Sequence, residues 1–220
     1  MKSARPLFIV IGISVFALAI LNIALKSYNA HSVSLGCSPQ TSSGEIDPTN
    51  TVAFWQNQTL SPPLALNDTL TSSQKKVLGS TTSNDKWIEV DLGKQLLIAH
   101  DGNDIFLESP ISSGLWNSTP PGEYHIWYKI RSTLMEGGSK LNNTYYYLPN
   151  VPYAMFFYGD YGIHGTYWHQ NFGHPMSHGC VNTPTSVAEK LFYWTDPQLP
   201  SGKSLVKVSD DSGTKVVIHN

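Results

Sequence analysis

The sequence predicts a mostly-β fold: a sandwich of about eight short strands with one helix after Cys180, preceded by an N-terminal transmembrane segment. Three observations predict it. From Lys86 onward, short runs of alternating apolar residues are separated by turn residues, the mark of half-buried strands. Only one stretch, residues 183–194, carries apolar residues at helical spacing behind a capping signal. An apolar run from Leu7 to Leu25 is broken only by Gly12, Ser14 and Asn22. Charged residues make up 14% of the 220, against about 25% in ordinary soluble domains, and a net charge of −2 offers no basic face for nucleic acid.

At about 1.5 Å per residue the Leu7–Leu25 run nearly spans a hydrocarbon core of roughly 30 Å. Lys2 and Arg5 precede it and Lys26 follows, so the amino terminus is expected in the cytoplasm and everything beyond outside, as a single-pass cell-membrane protein. A cleaved signal peptide is the rival reading, but no clean A-x-A site follows. Residues 1–27 are therefore expected as cytoplasmic tip and membrane anchor. Residues 28–84 are rich in Ser, Thr, Asn, Gln and Pro, with Phe54 and Trp55 as their bulky pair; this composition suggests a low-complexity spacer dispensable for chemistry. Residues 85–220 are expected to form the functional domain.

Within that domain, Trp87–Leu92, Gln95–His100 and Ile105–Leu107 read as a meander, with Asp101-Gly102 as a hairpin turn. Pro120-Pro121-Gly122 leads into Glu123–Arg131, which alternates Tyr124, Ile126, Tyr128 and Ile130 with His125, Trp127, Lys129 and Arg131. Further strands read at Tyr153–Tyr158, Tyr161–His164 and a C-terminal pair, Leu205–Val208 with Lys215–Ile218, taken as a tail hairpin. The helix is expected to use Thr183 as N-cap and Pro184 as its first residue, with Val187, Ala188, Leu191, Phe192 and Trp194 on one stripe.

Four of the eight histidines, His164, His169, His174 and His178, crowd into fifteen residues, and Cys180 follows. No H-E-x-x-H helix and no C-x₂-C pair accompanies them, so no metal or other cofactor is expected. A thiol nucleophile fits better, since it needs an imidazole to take its proton and backbone amides for the oxyanion. His164 ends a strand, and the loop returns the chain to Ser177-His178-Gly179-Cys180 just before the helix, whose positive end would favour a thiolate. The amides of Gly179 and Cys180 are the candidate oxyanion donors. Cys37 sits in a Ser/Gly/Pro stretch with nothing to pack on, so a bridge to Cys180 is not expected.

Ile163-His164-Gly165-Thr166, followed by Ser177-His178-Gly179-Cys180-Val181-Asn182, resembles the signature of the L,D-transpeptidase catalytic domain family, the YkuD type. The likeness extends to Val90–Gln95, Ser112-Ser113-Gly114, Thr119–Gly122 and Val151–Met155, and covers roughly residues 86–210. The resemblance implies an enzyme of peptidoglycan biosynthesis facing the cell wall. Cys180 would attack the third residue of a stem tetrapeptide, release D-Ala and hold a thioester, and an acceptor stem would complete a 3→3 crosslink. Alternatives are an L,D-carboxypeptidase acting on the same stem, or a non-catalytic wall-binding module. His164 matches the general base, its ring oriented by the Gly165 carbonyl, and His178 matches the second motif histidine. Tyr153 and Met155 match positions near the substrate groove and Trp168 is expected to wall it, with plain core packing as the alternative for each. Ser177 and Asn182 are counted with the substrate-binding set, Asn182 chiefly as a side chain that fixes the loop. His169 and His174 read as loop surface. The expected partners are donor and acceptor stem peptides and, through the N-terminal helix, the membrane.

Overall fold

The computed structural model describes residues 42–80, 85–209 and 211–220. The anchor expected at 1–27 lies outside them, and among the described residues no helix is long and apolar enough to cross a membrane. In chain order the elements are β1 (Ala53–Trp55), β2 (Gln58–Leu60), α1 (Ser72–Ser80), β3 (Lys86–Asp91), β4 (Leu96–Asp101), β5 (Asp104–Pro110), β6 (Gly122–His125), β7 (Tyr128–Gly137), β8 (Tyr146–Tyr158), β9 (Tyr161–Thr166), β10 (Val181–Pro184), α2 (Thr185–Trp194), β11 (Leu205–Lys207) and β12 (Lys215–His219). They build two sheets. One runs β5-β4-β3-β12-β6; the other runs β10-β9-β8-β1-β2, with β7 joined to β8 and to β11. The mostly-β expectation holds.

Several sequence readings need correction. The Glu123–Arg131 run is two strands, because the chain leaves the first sheet after β6 and enters the second as β7. The tail is not a hairpin: β11 pairs with β7, whereas β12 lies parallel to β3 and antiparallel to β6. Helix α2 begins at Thr185 behind Pro184. Thr183, expected as its cap, instead donates its Oγ1 hydrogen to the His164 carbonyl across the β9–β10 pair, at 3.1 Å. At the other end, Lys86 Nζ and Lys129 Nζ donate to the carbonyls of Trp194 and Thr195, at 3.1 and 2.6 Å, giving these C-terminal carbonyls side-chain donors.

The period of two in the strands sorts side chains onto two faces. Ile88, Val90, Leu97, Ala99, Val216 and Ile218 meet Tyr153, Met155, Phe157, Ile163, Val181 and the apolar stripe of α2 in one core. Ala53, Met135, Tyr146, Leu148, Ala154, Phe156, Trp168 and Cys180 form a second cluster. Ile163 and Val181 are register partners, as are His164 and Asn182. The alternation therefore turns the histidine and asparagine away from the first core and towards the second.

Residues 42–80 are not the loosely ordered spacer that composition suggested. Asn150 Nδ2 donates to the carbonyls of Asp47 and Pro63, both at 2.9 Å, while its Oδ1 accepts from the Asp47 amide at 2.9 Å. Glu189, 1% exposed on α2, accepts from the Thr69 amide at 2.9 Å, the Thr69 hydroxyl at 2.5 Å and the Leu70 amide at 3.1 Å. A buried carboxylate is costly unless it is paired or hydrogen-bonded in this way. Asp68 adds contacts to Lys75, Arg131 and the Tyr153 hydroxyl.

Candidate active site

The loop that carries Ser177–Cys180 is held by the stretches that precede it in sequence. Ser112 and Asn182 exchange backbone hydrogen bonds at 2.9 Å each, Ser177 N–H donates to the Ser113 carbonyl at 3.0 Å, and Leu115 N–H donates to the Ser177 carbonyl at 2.9 Å. Gln95 clamps Ser113 from the side, its Oε1 accepting the Ser113 amide at 2.9 Å and its Nε2 donating to the hydroxyl at 2.7 Å. Thr119 Oγ1 accepts from the Gly114 amide and donates to the Gly179 carbonyl, both at 2.8 Å. Gly179 has φ +140°, and a Cβ there would lie 2.5 Å from Tyr161 Cε1, so only glycine fits this turn.

Ser177 organises the loop from within. Its hydroxyl donates to the Cys180 carbonyl at 2.6 Å and accepts the Gly179 amide at 2.9 Å. The Gly179 amide, expected as an oxyanion donor, is thus engaged by Ser177. The dipole argument changes too, because the four extended residues of β10 separate Cys180 from the start of α2. That is about 13 Å of strand, and the dipole effect fades beyond the first turn.

His164 is 1% exposed. Its Nδ1 lies 3.1 Å from the Gly165 carbonyl, so Nδ1 carries the hydrogen and donates it, and Nε2 is left as a bare acceptor. Nε2 is buried without a hydrogen-bond partner. Burial is the main cause pushing this imidazole down to about 4, with the Gly165 bond opposing. Gly165 is required where it stands, since a Cβ would lie 2.9 Å from Pro152 Cγ and 3.1 Å from Thr185 Cα. His178 packs on the Tyr146 ring at 4.7 Å. Burial lowers its pKa, opposed by a bond to the Thr144 backbone, and its Nε2 also has no partner.

Cys180 is fully buried and is bonded in a disulfide, contrary to the expectation of a free thiol. The chain's other cysteine is Cys37, which lies outside the described residues. Cys180 Sγ is 3.7 Å from the Asp160 carbonyl, and as a disulfide sulfur it has no proton to donate. By alternation Cys180 faces the same side as Asn182, two residues on, and so the same side as His164 on the neighbouring strand.

A cavity of about 20 Å³ lies at these groups, lined by Trp55, Met135, Tyr146, Leu148, His164, Trp168, Ser177, His178 and Asn182. That is room for roughly one water molecule. Trp168 is one of its walls, tilted against His164 at 5.7 Å. Trp55, which the sequence reading placed in the spacer, is a second wall and stacks on His169 at 5.5 Å. His169 is not loop surface: it is 9% exposed and its Nε2 lies 3.0 Å from the Asn182 amide. His174 is exposed. Tyr153 and Met155 belong to the core on the other face, 1% and 0% exposed, because their strand positions point away from Cys180. The cradle residues Gln95 and Thr119 were missed as individuals, although the segments containing them carried the family likeness. Among the described residues no three His, Cys, Asp or Glu side chains converge as a metal-ligand set.

A profile of the YkuD family, the L,D-transpeptidase catalytic domain, matches residues 85–218. No curated protein matches the chain. Similar solved structures include an L,D-transpeptidase from Mycobacterium smegmatis, 19% identical over 62% of this chain and 59% of that one, with a TM-score of 0.50. A cysteine-to-serine mutant of the Enterococcus faecium L,D-transpeptidase is 30% identical over 61% of this chain and 50% of its own, at 0.47. The catalytic domain of the E. faecium protein, solved by NMR, is covered over 97% of its length and 61% of this chain at 30% identity, with a TM-score of 0.46. The chain spans about half the length of the longer E. faecium structure.

Proposed function

We propose that this chain, which belongs to the L,D-transpeptidase catalytic domain family, crosslinks peptidoglycan through a thioester on Cys180. The observation that carries the reading is the state of His164: Nδ1–H is committed to the Gly165 carbonyl, and a bare Nε2 faces the cavity on the side of the sheet that Cys180 shares. Such an imidazole is set up to accept a thiol proton and to return it to a leaving amine. The Cys180 thiolate attacks the carbonyl of the third stem residue, the bond to terminal D-Ala breaks, and His164 delivers the proton to the departing amine. An amine on a second stem then attacks the thioester, giving the 3→3 link and restoring the thiol.

The working form has Cys180 reduced, so the disulfide form described above is a resting one. We place the domain outside the cell, anchored through residues 1–27; the support is the charge and apolar pattern of that segment. Protease added to spheroplasts should then remove the domain, and a domain protected until lysis would refute the topology. For the activity, the reduced full-length chain is incubated with disaccharide-tetrapeptide and the products are weighed. A dimer lighter than two tetrapeptides by one D-Ala and bearing a 3→3 link is expected. Tripeptide alone would mean that water takes the acyl group, and the chain would be a carboxypeptidase.

A further inference from the structure

Trp116 is 77% exposed, while the other five tryptophans are buried or half-buried. Its backbone is held at φ 55° and ψ 32°, and Asn117 follows at φ 57°. Two successive non-glycine residues in the left-handed region are costly, the more so for a side chain as bulky as indole. The turn is pinned at both ends: Leu115 N–H donates to the Ser177 carbonyl at 2.9 Å, and Ser118 N–H donates to the Leu115 carbonyl at 3.1 Å. A strained backbone that lifts an aromatic ring into solvent contributes little to packing, which points to a ligand. The turn also lies against the loop that carries Cys180. A Cβ on Gly179 would lie 3.1 Å from the Ser118 carbonyl oxygen and 2.5 Å from Tyr161 Cε1. Tyr161 stacks on Tyr158 at 6.0 Å and 21°, and Tyr158 is itself 53% exposed. Aromatic rings from two separate elements thus adjoin Gly179.

We propose that Trp116 is a sugar-binding residue, whose exposed indole face stacks on an N-acetylhexosamine ring of the glycan that carries the donor stem. The proposal rests on the transpeptidase reading for its ligand. One face of a pyranose is made of C–H groups, whose partial positive charge meets the negative face of an aromatic ring while apolar surface leaves water. No charged residue lies between Glu108 and Glu123, so the turn suits a neutral sugar and not a phosphate. Asn117, exposed beside the ring, brings an amide that can donate to and accept from hydroxyl and acetamido groups. The reach agrees as well. Three extended stem residues cover about 10 Å, so a donor whose third carbonyl is at Cys180 carries its sugar to the rim of the site. Trp116 stands within that range, two residues or about 7 Å of chain from the Ser118 contact with Gly179.

The full-length chain labelled with ¹⁵N-tryptophan is titrated with tri-N-acetylchitotriose, and the indole N–H signals are followed. The signal that disappears in Trp116→Ala is expected to be the one that moves, and Trp116→Ala should weaken binding at least tenfold, the scale of one aromatic stacking contact. Trp116→Phe, which keeps an aromatic face, should retain most of the affinity. A stationary Trp116 signal, or equal affinity in wild type and Trp116→Ala, overturns the proposal. This readout needs no catalysis, so a chain that binds the sugar through Trp116 but makes no dimer would fail as a transpeptidase and keep this site. In the acyl-transfer assay, the ratio of kcat/KM for disaccharide-tetrapeptide to that for free tetrapeptide should be about tenfold in wild type and fall towards one in Trp116→Ala. The same ratio in both would show that the ring does not meet the glycan of the donor.

Discussion

Reducing the Cys180 disulfide and then following alkylation of the thiol with pH, in wild type and in His164→Ala, tests the heart of the site. Burial holds His164 at about 4, and an ordinary thiol titrates near ~8.5. Moving the proton from sulfur to imidazole therefore costs about 6 kcal/mol before the new charges attract each other. Once the reduced sulfur closes to about 4 Å from the ring, an effective dielectric near ~20 makes that attraction worth about 4 kcal/mol. The remaining ~2 kcal/mol leaves about 3 per cent of the pair as thiolate and imidazolium. The fully buried imidazole thus argues for a mostly neutral resting pair that ionises as it attacks.

The internal transfer moves no proton to solvent, so its share is independent of pH above the titration of His164. Ionisation to solvent reaches about 3 per cent at pH 7 and falls tenfold for each pH unit below. Iodoacetamide rates in wild type should therefore flatten below about pH 7, while those of His164→Ala keep falling, opening a gap of about tenfold at pH 6 that closes above pH 8. Peptide mapping locates the label at Cys180. Profiles that coincide from pH 5 to 9 would remove His164 as the partner. A wild-type rate already at its maximum at pH 6 would mean a stable ion pair, and the burial argument would be wrong.

Four further outcomes follow from the packing and the charges. Without reductant the chain should resist both iodoacetamide and acyl donors and gain both reactivities with a dithiol; Cys37→Ser should be reactive without it, and reductant-independent wild type would refute a disulfide-blocked nucleophile. His164 and His169 have folded pKa values lowered to about 4, so the unfolded chain takes up protons that the folded one refuses between pH 6.5 and 4; stability should drop on acidification by roughly 3 kcal/mol per ring, and a thermal midpoint flat over that window would contradict the burial of both. Glu189→Gln should cost about 2–4 kcal/mol and speed proteolysis within residues 68–80, and unchanged cleavage would mean that its three hydrogen bonds do not hold the segment. Lys129, fully buried and lowered to about 7 mainly by desolvation, should make the fold more stable as pH rises from 7 towards 10; Lys129→Met should raise the melting temperature at pH 6 and lose that slope, and a lower one would show that its bond to Thr195 outweighs the burial cost.

What was legible in the sequence was what repeats or is compact. Alternation located β3, β4, β5, β9 and β12, and helical spacing located α2, because a half-buried element writes its period into consecutive residues. The histidine and the Ser-His-Gly-Cys run stood out because they are short and dense in chemistry-bearing side chains. Period alone does not say which sheet a strand joins, so one continuous alternation became β6 and β7 in different sheets, and two tail strands became neighbours of β7 and β3. Nor does it say which of two buried faces carries the chemistry. Tyr153 and Met155 alternate as cleanly as any groove residues, and only the pairing of Ile163 with Val181 puts them on the side away from Cys180.

Residues 42–80 were misread for a different reason. Their attachment is made of polar groups: Asn150 holding Asp47 and Pro63, and Glu189 holding Thr69 and Leu70. Polar complementarity between distant segments has no period, and a run of Ser, Thr, Asn and Pro that docks has the same composition as one that does not. The signal lay on the other partner. Glu189 sits next to Ala188 on a helix whose neighbours Leu191 and Phe192 are buried, and a carboxylate there demands donors that the domain from residue 85 onward does not supply. Once Thr69 and Leu70 meet that demand, the chain upstream is committed to the domain surface, and β1 pairs with β8 through Phe54 and Tyr147. Trp55, the next residue, then stands at the cavity with His164. The segment outside the family domain is thus part of the site wall, and a chain cut at residue 85 would leave Glu189 without its donors and the cavity without Trp55.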